Sequence, residues 1–576
     1  MGLPRAGLRS RFALILVASA FTPPALSWAQ PTPPPPAAAP GTTAPELDPN
    51  ARVQRPAPRR DAGVFAPEPP GPCPLEGSDV QVTLNAVSFR GSTALSAEEL
   101  RGAYADYLGK PQPVAIICAI RDRAARAYFE AGVLARVEIP EQRIADGALM
   151  LEVIEAHVVN VRVRGDVGPV QDAIERYAEK LRGMKPFDMA KAQRYLLLAS
   201  DVPGVRVRAA VRPSTSPERG AVDIDLTVVR DNVSAFANVQ NLGSRPVGRW
   251  AGLVRGEVSA LTGYGEATGL TFYRTLEANE QWLVQLTESA RFGSEGLVGR
   301  AAFTYGESRP GGALKALGLK SESVVGNVEA AYPLIRLRNQ NLNLAGGVDF
   351  INQETTVPGA GRISQDKLRI LYARADGDYR TELGEWPMLV SGAVTVRKGL
   401  SGLGASDEGS PFLTRAIGKP DAWVVKGVAG VDTVVSDRIT AMMRVQAQYS
   451  GSPLLPYEQI SLGSLTVGRG YNPATALGDT GVAGAFELRY GPLQLHPRVV
   501  AAPYAFFDAG YVRNNDATLS GLARDRTLKS VGAGVVFRVA NRANVEVTYA
   551  HPLDSRAPGR PRAGDRVLIQ LTASLM

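Results

Sequence analysis

The sequence has few of the residues, and none of the common motifs, on which catalysis and metal binding depend. Its 576 residues include three histidines and two cysteines. No histidine stands at ligand spacing from a cysteine or a carboxylate, so no metal site is expected. The patterns G-x-S-x-G, H-E-x-x-H, C-x-x-C and G-x-x-x-x-G-K-[ST] do not occur, which argues against a hydrolase, a redox pair and a nucleotide-driven motor. We expect no catalytic residue, no cofactor and no enzyme activity.

Long apolar runs are also missing, apart from one short run near the N-terminus. Residues 12–21 are apolar, follow three arginines and precede a small-x-small pattern that ends at Ala29. This arrangement is typical of a secretory signal peptide over residues 1–29, with an uncleaved anchor as the alternative. The run is too short to span a bilayer, and no later run of about 18 apolar residues follows. The mature chain is therefore expected to be exported without a membrane-spanning helix.

Positive charge is in excess but is not concentrated anywhere. The formal net charge is +8 and the isoelectric point is near 9.4. Nucleic-acid binding favours basic residues gathered on one face, whereas the densest clusters here are pairs such as Arg59-Arg60. No nucleic-acid partner is expected.

The segment after the signal peptide is dominated by proline and alanine. This composition predicts an extended, disordered linker over residues 30–72. Pro49, Pro56 and Pro58 would interrupt any long helix in the segment.

Both cysteines lie near the start of the region that follows. Cys73 directly follows the linker, and Cys118 lies in the second predicted helix of the first folded domain. In an exported protein a disulfide between them is favoured, with two buried thiols as the alternative.

One supersecondary pattern occurs twice between residues 79 and 230. Each copy reads strand, helix, helix, strand, strand, and a glycine (Gly91 or Gly165) follows its first strand. We predict two small α+β domains, over residues 73–155 and 156–230. Two unrelated domains are the alternative to a repeat.

After residue 230 the helical periodicity ends. Segments of about eight to twelve residues alternate apolar with polar or small side chains, and clusters of turn-forming residues separate them. About sixteen segments fit into residues 231–576, with short and long connections in alternation, as in outer-membrane barrels. The mean hydropathy of −0.07 does not contradict this, because alternating strands average out. An antiparallel transmembrane barrel is predicted, with an array of soluble β-sandwiches as the alternative.

Two short motifs stand out in the barrel region. They are the loop segment Gly468-Arg469-Gly470-Tyr471 and the strand segment Phe506-x-Asp508-x-Gly510. Because side chains alternate along a strand, Asp508 faces the same way as its two motif neighbours. A carboxylate on such an apolar face needs a partner, and Arg469 is the candidate because glycines allow its loop to fold inward. A surface turn and an ordinary strand aspartate are the alternative.

The two motifs resemble the (V/I)RG(Y/F) loop and the F-x-D-x-G strand of the two-partner secretion transporters, which export hemolysins and filamentous adhesins. The repeated domains resemble POTRA domains, and residues 142–155 are similar to a characteristic POTRA stretch. The resemblance implies an all-β transmembrane sixteen-stranded antiparallel β-barrel preceded by two periplasmic α+β POTRA domains. It also implies a loop around residues 463–480 folded into the barrel, and a plug helix that the prolines of the linker put in doubt. Gly468 departs from the usual Val or Ile, and Met576 from the usual terminal aromatic residue.

The same resemblance implies a function in the bacterial outer membrane. The POTRA domains would recognise an unfolded secreted exoprotein of the adhesin or cytolysin type, which then passes through the barrel. Arg469 would hold the loop to the wall through Asp508, Tyr471 would add packing, and Gly468 and Gly470 would give the backbone freedom. Outer-membrane lipids and, during biogenesis, the barrel assembly machinery are the other implied partners. An assembly factor for other barrels and a passive porin are the alternatives.

Overall fold

The structure is a computed structural model that describes residues 42–53, 71–277, 280–516, 524–540, 542–554 and 564–576. The first described segment forms the short helix α1 (Ala44–Leu47) and a 3₁₀ turn (Pro49–Arg52). Two small α+β domains and a closed barrel follow. Across the described residues, no helix is long and apolar enough to cross a bilayer. The predicted signal peptide and most of the predicted linker lie outside these residues.

The first α+β domain is a small sheet covered by helices. Its elements are β1 (Gln81–Thr83), β2 (Ala86–Arg90), α2 (Ala97–Leu100), β3 (Pro111–Pro113), α3 (Ile116–Glu130), β4 (Ala135–Glu138) and β5 (Ala148–Glu155). The main sheet has the order β2-β5-β4, with β2 parallel and β4 antiparallel to β5. Helix α3 buries Ile120, Ala124 and Tyr128 because residues four apart share one side of a helix.

The second α+β domain repeats this arrangement. Its elements are β6 (His157–Gly165), α4 (Gln171–Glu179), α5 (Met189–Ser200), β7 (Val205–Pro213) and β8 (Ala221–Arg230). The sheet order is β6-β8-β7, with β6 parallel and β7 antiparallel to β8. The helices cover one face of the sheet, where Ile174, Leu198, Ile224 and Leu226 pack together. The repeat predicted from the sequence is confirmed.

A closed antiparallel barrel follows, as predicted. Its strands are β9 (Val233–Gln240), β10 (Ala251–Ser259), β11 (Ala267–Thr275), β12 (Gln281–Phe292), β13 (Leu297–Ser308), β14 (Lys320–Arg336), β15 (Gln340–Val357), β16 (Gly361–Leu383), β17 (Trp386–Gly399), β18 (Trp423–Ser436), β19 (Ile439–Tyr449), β22 (Thr480–Tyr490), β23 (Leu493–His496), β24 (Val499–Arg513), β25 (Asp525–Val539), β26 (Ala543–Pro552) and β27 (Arg566–Ser574). A small separate hairpin of β20 (Ile460–Leu462) and β21 (Ala476–Gly478) lies in the connection between β19 and β22. Neighbours in the chain pair with each other, and β27 pairs with β9 to close the barrel. Because β22 and its short extension β23 both pair with β24, the wall has sixteen strands, the predicted number.

The strands present different residues to the two sides of the wall. In β11, Thr271 and Tyr273 are buried, whereas Leu270 and Phe272 are 55% and 44% exposed. The buried set faces the lumen and the exposed apolar set faces outward, which is the arrangement of a barrel surrounded by lipid.

The second α+β domain is docked on one rim of the barrel, here called the near rim. Asp201, after α5, accepts hydrogen bonds from Nε and Nη2 of Arg336 at the end of β14, both at 2.6 Å. Glu295, in the turn between β12 and β13, lies 2.9 Å from Nζ of Lys180 and accepts a hydrogen bond from the Tyr195 hydroxyl at 3.2 Å. Strand directions alternate, so the connections from β17 to β18 and from β19 to β22 lie at the opposite, far rim.

The predicted extended linker is wrong for residues 42–53, which are folded inside the barrel. The Arg52 guanidinium lies 4.3 Å from the ring centre of Tyr273 and donates a hydrogen bond to its hydroxyl at 3.1 Å. From another part of the wall, Nε2 of Gln353 donates to the carbonyl of Thr42 at 2.8 Å. The segment therefore touches both β11 and β15 across the lumen.

The prolines of this segment shape it without extending it. Pro45 lies within the first two positions of α1 and Pro49 opens the 3₁₀ turn, where a helix needs no amide donor. Thr43 and Glu46 form a capping box at the start of α1. Prolines exclude a long helix here, but they fit two short helical turns joined end to end.

Candidate functional site

The connection between β19 and β22 folds back into the lumen. Its hairpin β20-β21 is antiparallel and buried, and Leu462 packs against Val512 of β24 and Leu528 of β25. Gly510 allows this approach, because a Cβ atom there would lie 2.8 Å from Cδ1 of Leu462. The third glycine of the two motifs therefore marks the place where the loop touches the wall.

Arg469, at the tip of this connection, is held by two carboxylates of the wall. Its backbone amide donates to Oδ2 of Asp508 at 2.8 Å, and its Nη2 donates to Oδ1 at 3.0 Å. Its Nη1 donates to Oε2 of Glu487 on β22 at 2.9 Å. The guanidinium carbon lies 3.7 Å from the ring centre of Phe506. All of these side chains are at most 3% exposed, so the charges are closed off from water.

A buried ionic group of this kind fixes the position of the loop tip more than it raises the free energy of unfolding. Two charged groups lose their hydration when they are buried, and their attraction roughly offsets that loss. Removing one partner is different, because the remaining charge stays buried without compensation. The site therefore specifies one position of the loop tip, which we call the inner lock (Arg469, Asp508 and Glu487).

The glycines around Arg469 have two separate roles. Gly468 has a φ of +121°, which a residue with a side chain rarely adopts, so the Val or Ile usual at this place would be strained here. A Cβ atom on Gly470 would lie 2.9 Å from Cβ of Ser530 and 3.0 Å from the amide nitrogen of Pro552. Gly468 is needed for the backbone angle, and Gly470 for close contact with the wall.

Tyr471 joins the loop tip to strands further around the barrel. Its hydroxyl donates to the carbonyl of Lys529 at 2.9 Å and accepts from the amide of Asp554 at 3.1 Å. Its own carbonyl accepts a hydrogen bond from Nη1 of Arg566, at the start of the last strand. Tyr471 is 5% exposed, so it contributes both hydrogen bonds and packing.

Glu487 is the site residue that sequence reasoning missed. It lies on the lumen face of β22 together with Ala483 and Ala485, and Nη2 of Arg489 lies 2.6 Å from its Oε1. The sequence did contain a signal for Glu487. Side chains two residues apart lie on one face of a strand, so Glu487 shares its face with Ala483 and Ala485, where a charged residue is unexpected. With Glu487 the lock has two acids for one shared arginine.

A second ionic group holds the start of the inward connection. Glu458, which precedes β20, accepts hydrogen bonds from Nε and Nη2 of Arg397 on β17, both at 2.9 Å. Nη2 of Arg397 also donates to Asp349 at 2.8 Å, and Lys426 Nζ lies 3.6 Å from Glu458. The connection is thus tied to the wall at two separate places, and it occupies part of the lumen.

The two cysteines lie outside this site, in the first α+β domain. Cys73 and Cys118 are joined by a disulfide, with 5.7 Å between their Cα atoms. The bond attaches the chain just before β1 to helix α3, and thereby ties the end of the linker to the first α+β domain.

Comparison with known protein families identifies both parts of the chain. The family model described as haemolysin secretion/activation protein ShlB/FhaC/HecB matches residues 220–537. The model of the ShlB-type POTRA domain matches residues 82–156. The first match spans the barrel from β9 into β25, and the second spans most of the first α+β domain.

Individual relatives are similar over most of their length. The heme/hemopexin transporter protein HuxB of Haemophilus influenzae is 21% identical over 497 residues, which is 83% of this chain and 85% of the relative. The structure of CdiB from Escherichia coli has a TM-score of 0.72 at 16% identity, covering 88% of this chain and 94% of that one. CdiB from Acinetobacter baumannii has a TM-score of 0.61 at 13% identity, covering 95% and 94%. At these identities the solved structures show a shared fold.

Proposed function

The chain belongs to the haemolysin secretion/activation protein family ShlB/FhaC/HecB, and from that membership we propose that it is the transporter of a two-partner secretion pair. It receives an unfolded exported partner at its POTRA domains and passes it through the barrel to the cell surface. The observation that carries this proposal is a barrel lumen occupied by two segments of its own chain, with two POTRA-type domains ahead of the barrel and the second of them docked on one rim. A passive porin has no use for such a filling.

The partners follow from the same assignment. The substrate is a large exoprotein of the adhesin or cytolysin type, the exposed apolar residues of the wall contact outer-membrane lipid, and the POTRA domains stand in the periplasm. During biogenesis the barrel assembly machinery inserts the chain and reads its last strand, although that strand is followed by the exposed Met576 instead of an aromatic residue. As in the other members of its family, the work is transport rather than catalysis.

The POTRA domains offer a free sheet edge for recognition. Within the described residues β2 pairs only with β5 in its sheet, so its other side is open to an added strand. An extended segment of the partner would gain main-chain hydrogen bonds along β2, and side-chain pockets would provide selectivity. A photo-crosslinking residue placed at the exposed Arg90 should therefore capture the N-terminal region of the partner.

Deletion of residues 79–230 tests the proposal. The shortened chain should insert and remain heat-modifiable, since the barrel closes without these residues, but it should secrete nothing. Undiminished secretion would show that the POTRA domains are not needed to recognise the partner. The assembly-factor alternative predicts lower levels of other barrels in the outer membrane of the deletion strain, so unchanged levels would argue against it. The porin alternative predicts a large steady conductance of the intact protein.

A further inference from the structure

A second set of buried charges closes the far rim. The connection between β17 and β18, residues 400–422, folds inward over the end of the lumen, and we call it the cover loop. Its Leu413 packs with Ile351 and Leu368 of the wall and with Leu455 of the inward connection. The amide of Thr414 donates to Oδ1 of the buried Asp366 at 2.9 Å. The cover loop is thus packed against the inner face of the wall.

Arg415 ties the cover loop to two other segments of the far rim. Its Nη1 donates to Oδ1 of Asp479 at 2.6 Å and to the carbonyl of Leu454 at 3.0 Å. Its Nη2 donates to the carbonyl of Asn515, which follows β24, at 2.8 Å. Arg415 is 6% exposed, so this hydrogen bonding takes place away from bulk water.

Asp479 is the matching hub on the other side. It is 0% exposed and accepts hydrogen bonds from the amides of Leu454 at 2.9 Å and Asn515 at 2.8 Å. It also accepts from Nε2 of Gln459 at 3.0 Å. One buried ion pair therefore joins the cover loop, the inward connection and the segment after β24, and none of its partners belongs to the inner lock.

We propose that Arg415 and Asp479 form an outer latch, which keeps the far rim closed and must be released for a transported chain to leave. The inference rests on the proposed function. A charged latch suits a gate, because water hydrates both groups once the segments separate and so offsets the attraction that is lost. An apolar seal of the same size would resist opening in water over its whole area.

Planar-bilayer recordings of the purified full-length protein test the latch without any partner. Arg415→Met and Asp479→Asn should each raise the fraction of time in conducting levels at least about tenfold, which corresponds to about 1.4 kcal/mol. Glu408→Gln is the matched control, because it removes an exposed ion pair with Lys419 in the same cover loop. Wild-type behaviour of both latch variants, with heat-modifiable migration retained, would overturn the proposal.

A reversible crosslink covers the case in which those variants fail to insert. The amide of Lys419 donates to the carbonyl of Pro453 at 2.9 Å, so cysteines at both positions would bridge the cover loop and the inward connection. Oxidised Lys419→Cys/Pro453→Cys should secrete the partner at least about tenfold less than the same protein after reduction, a difference of about 1.4 kcal/mol. The controls are each single cysteine variant and the wild type, all with and without reductant. They separate the effect of the new crosslink from that of reducing the native disulfide. Full secretion by verified crosslinked protein would overturn the latch, whereas a wild type that secretes nothing would instead refute the proposed function.

Discussion

The inner lock predicts unequal effects for its three residues. Arg469→Ala takes away the cation that faces the buried Asp508 and leaves Glu487 with Arg489, whereas Asp508→Asn leaves Arg469 still paired with Glu487 at 2.9 Å. Breaking a buried pair by removing one partner costs about 3–5 kcal/mol, which corresponds to a change of about 10²- to 4 × 10³-fold in the population of the locked state. Arg469→Ala should reach that range, and Asp508→Asn should fall below it. Glu487→Gln should be the mildest, because Asp508 makes the larger share of the contacts with Arg469.

A charge swap sharpens the same test. Arg469→Asp with Asp508→Arg would restore an opposite-charge pair, but the new aspartate at 469 would face Glu487, which now accepts from Nη1 of Arg469 at 2.9 Å. Two carboxylates that share one buried site repel each other even when they do not touch. The double swap should therefore recover little secretion, and adding Glu487→Gln should recover more. A simple two-residue pair would give the opposite order.

Secretion of the partner into the medium is the assay, normalised to heat-modifiable barrel in the outer membrane. Arg300→Ala is a suitable control, because its Nη1 donates to Glu329 at 2.6 Å between the wall strands β13 and β14, which are not neighbours of the strands β22 and β24 of the inner lock. We expect near-normal secretion from the control. Equal losses from Arg469→Ala and Asp508→Asn, or full rescue by the double swap alone, would refute the three-residue account.

Three further predictions follow from other regions of the molecule. Because a closed barrel has no free edge, the unboiled protein should migrate faster in detergent gels than the boiled one, and identical mobility would contradict the barrel. Serine at both Cys73 and Cys118, which close a 45-residue separation, should lower the free energy of unfolding of the first POTRA domain by about 2–4 kcal/mol in denaturant titrations. Burial opposes ionisation of Glu295, but hydrogen bonds from Lys180 and Tyr195 outweigh it and hold its pKa below the usual range. The contribution of Glu295 to the near-rim junction is therefore complete above its unfolded pKa and is lost as the pH falls through the folded pKa, so Glu295→Gln should flatten the acid dependence of protease cleavage between domain and barrel.

The features that sequence reasoning reached are those with a local signal. Two-residue alternation in segments bounded by turns predicted the barrel and its sixteen strands, because each strand must present one face to lipid and the other to the lumen. The same period placed Asp508 beside Phe506 and Gly510. The order of strands and helices in the POTRA repeat was readable because each element has its own period and its own ending residue.

The features that could not be predicted from the sequence depend on contacts between distant segments. Arg415 and Asp479 are 64 residues apart and lie in irregular segments, where no period indicates which way a side chain points. Residues 42–53 read as linker from composition, yet the barrel supplies the apolar and polar partners that fold them. Proline content excluded a long helix correctly but said nothing about two short turns inside a lumen. Tertiary contacts outweigh local composition in such segments.

Charge pairs tie the inward connection to its surroundings beside the apolar contacts, and this bears on what can open the closed barrel. Glu458 with Arg397, Arg469 with Asp508, and Arg415 with Asp479 tie the inward connection at three separate places along its length. Each pair exchanges its partner for water on release, so the pairs can separate in sequence instead of all at once. We expect folding of the exported chain outside the cell to supply the free energy that separates these pairs. A step that starts at the POTRA domains would meet the inner lock before the outer latch, so the latch should control the exit and not the first capture of the partner.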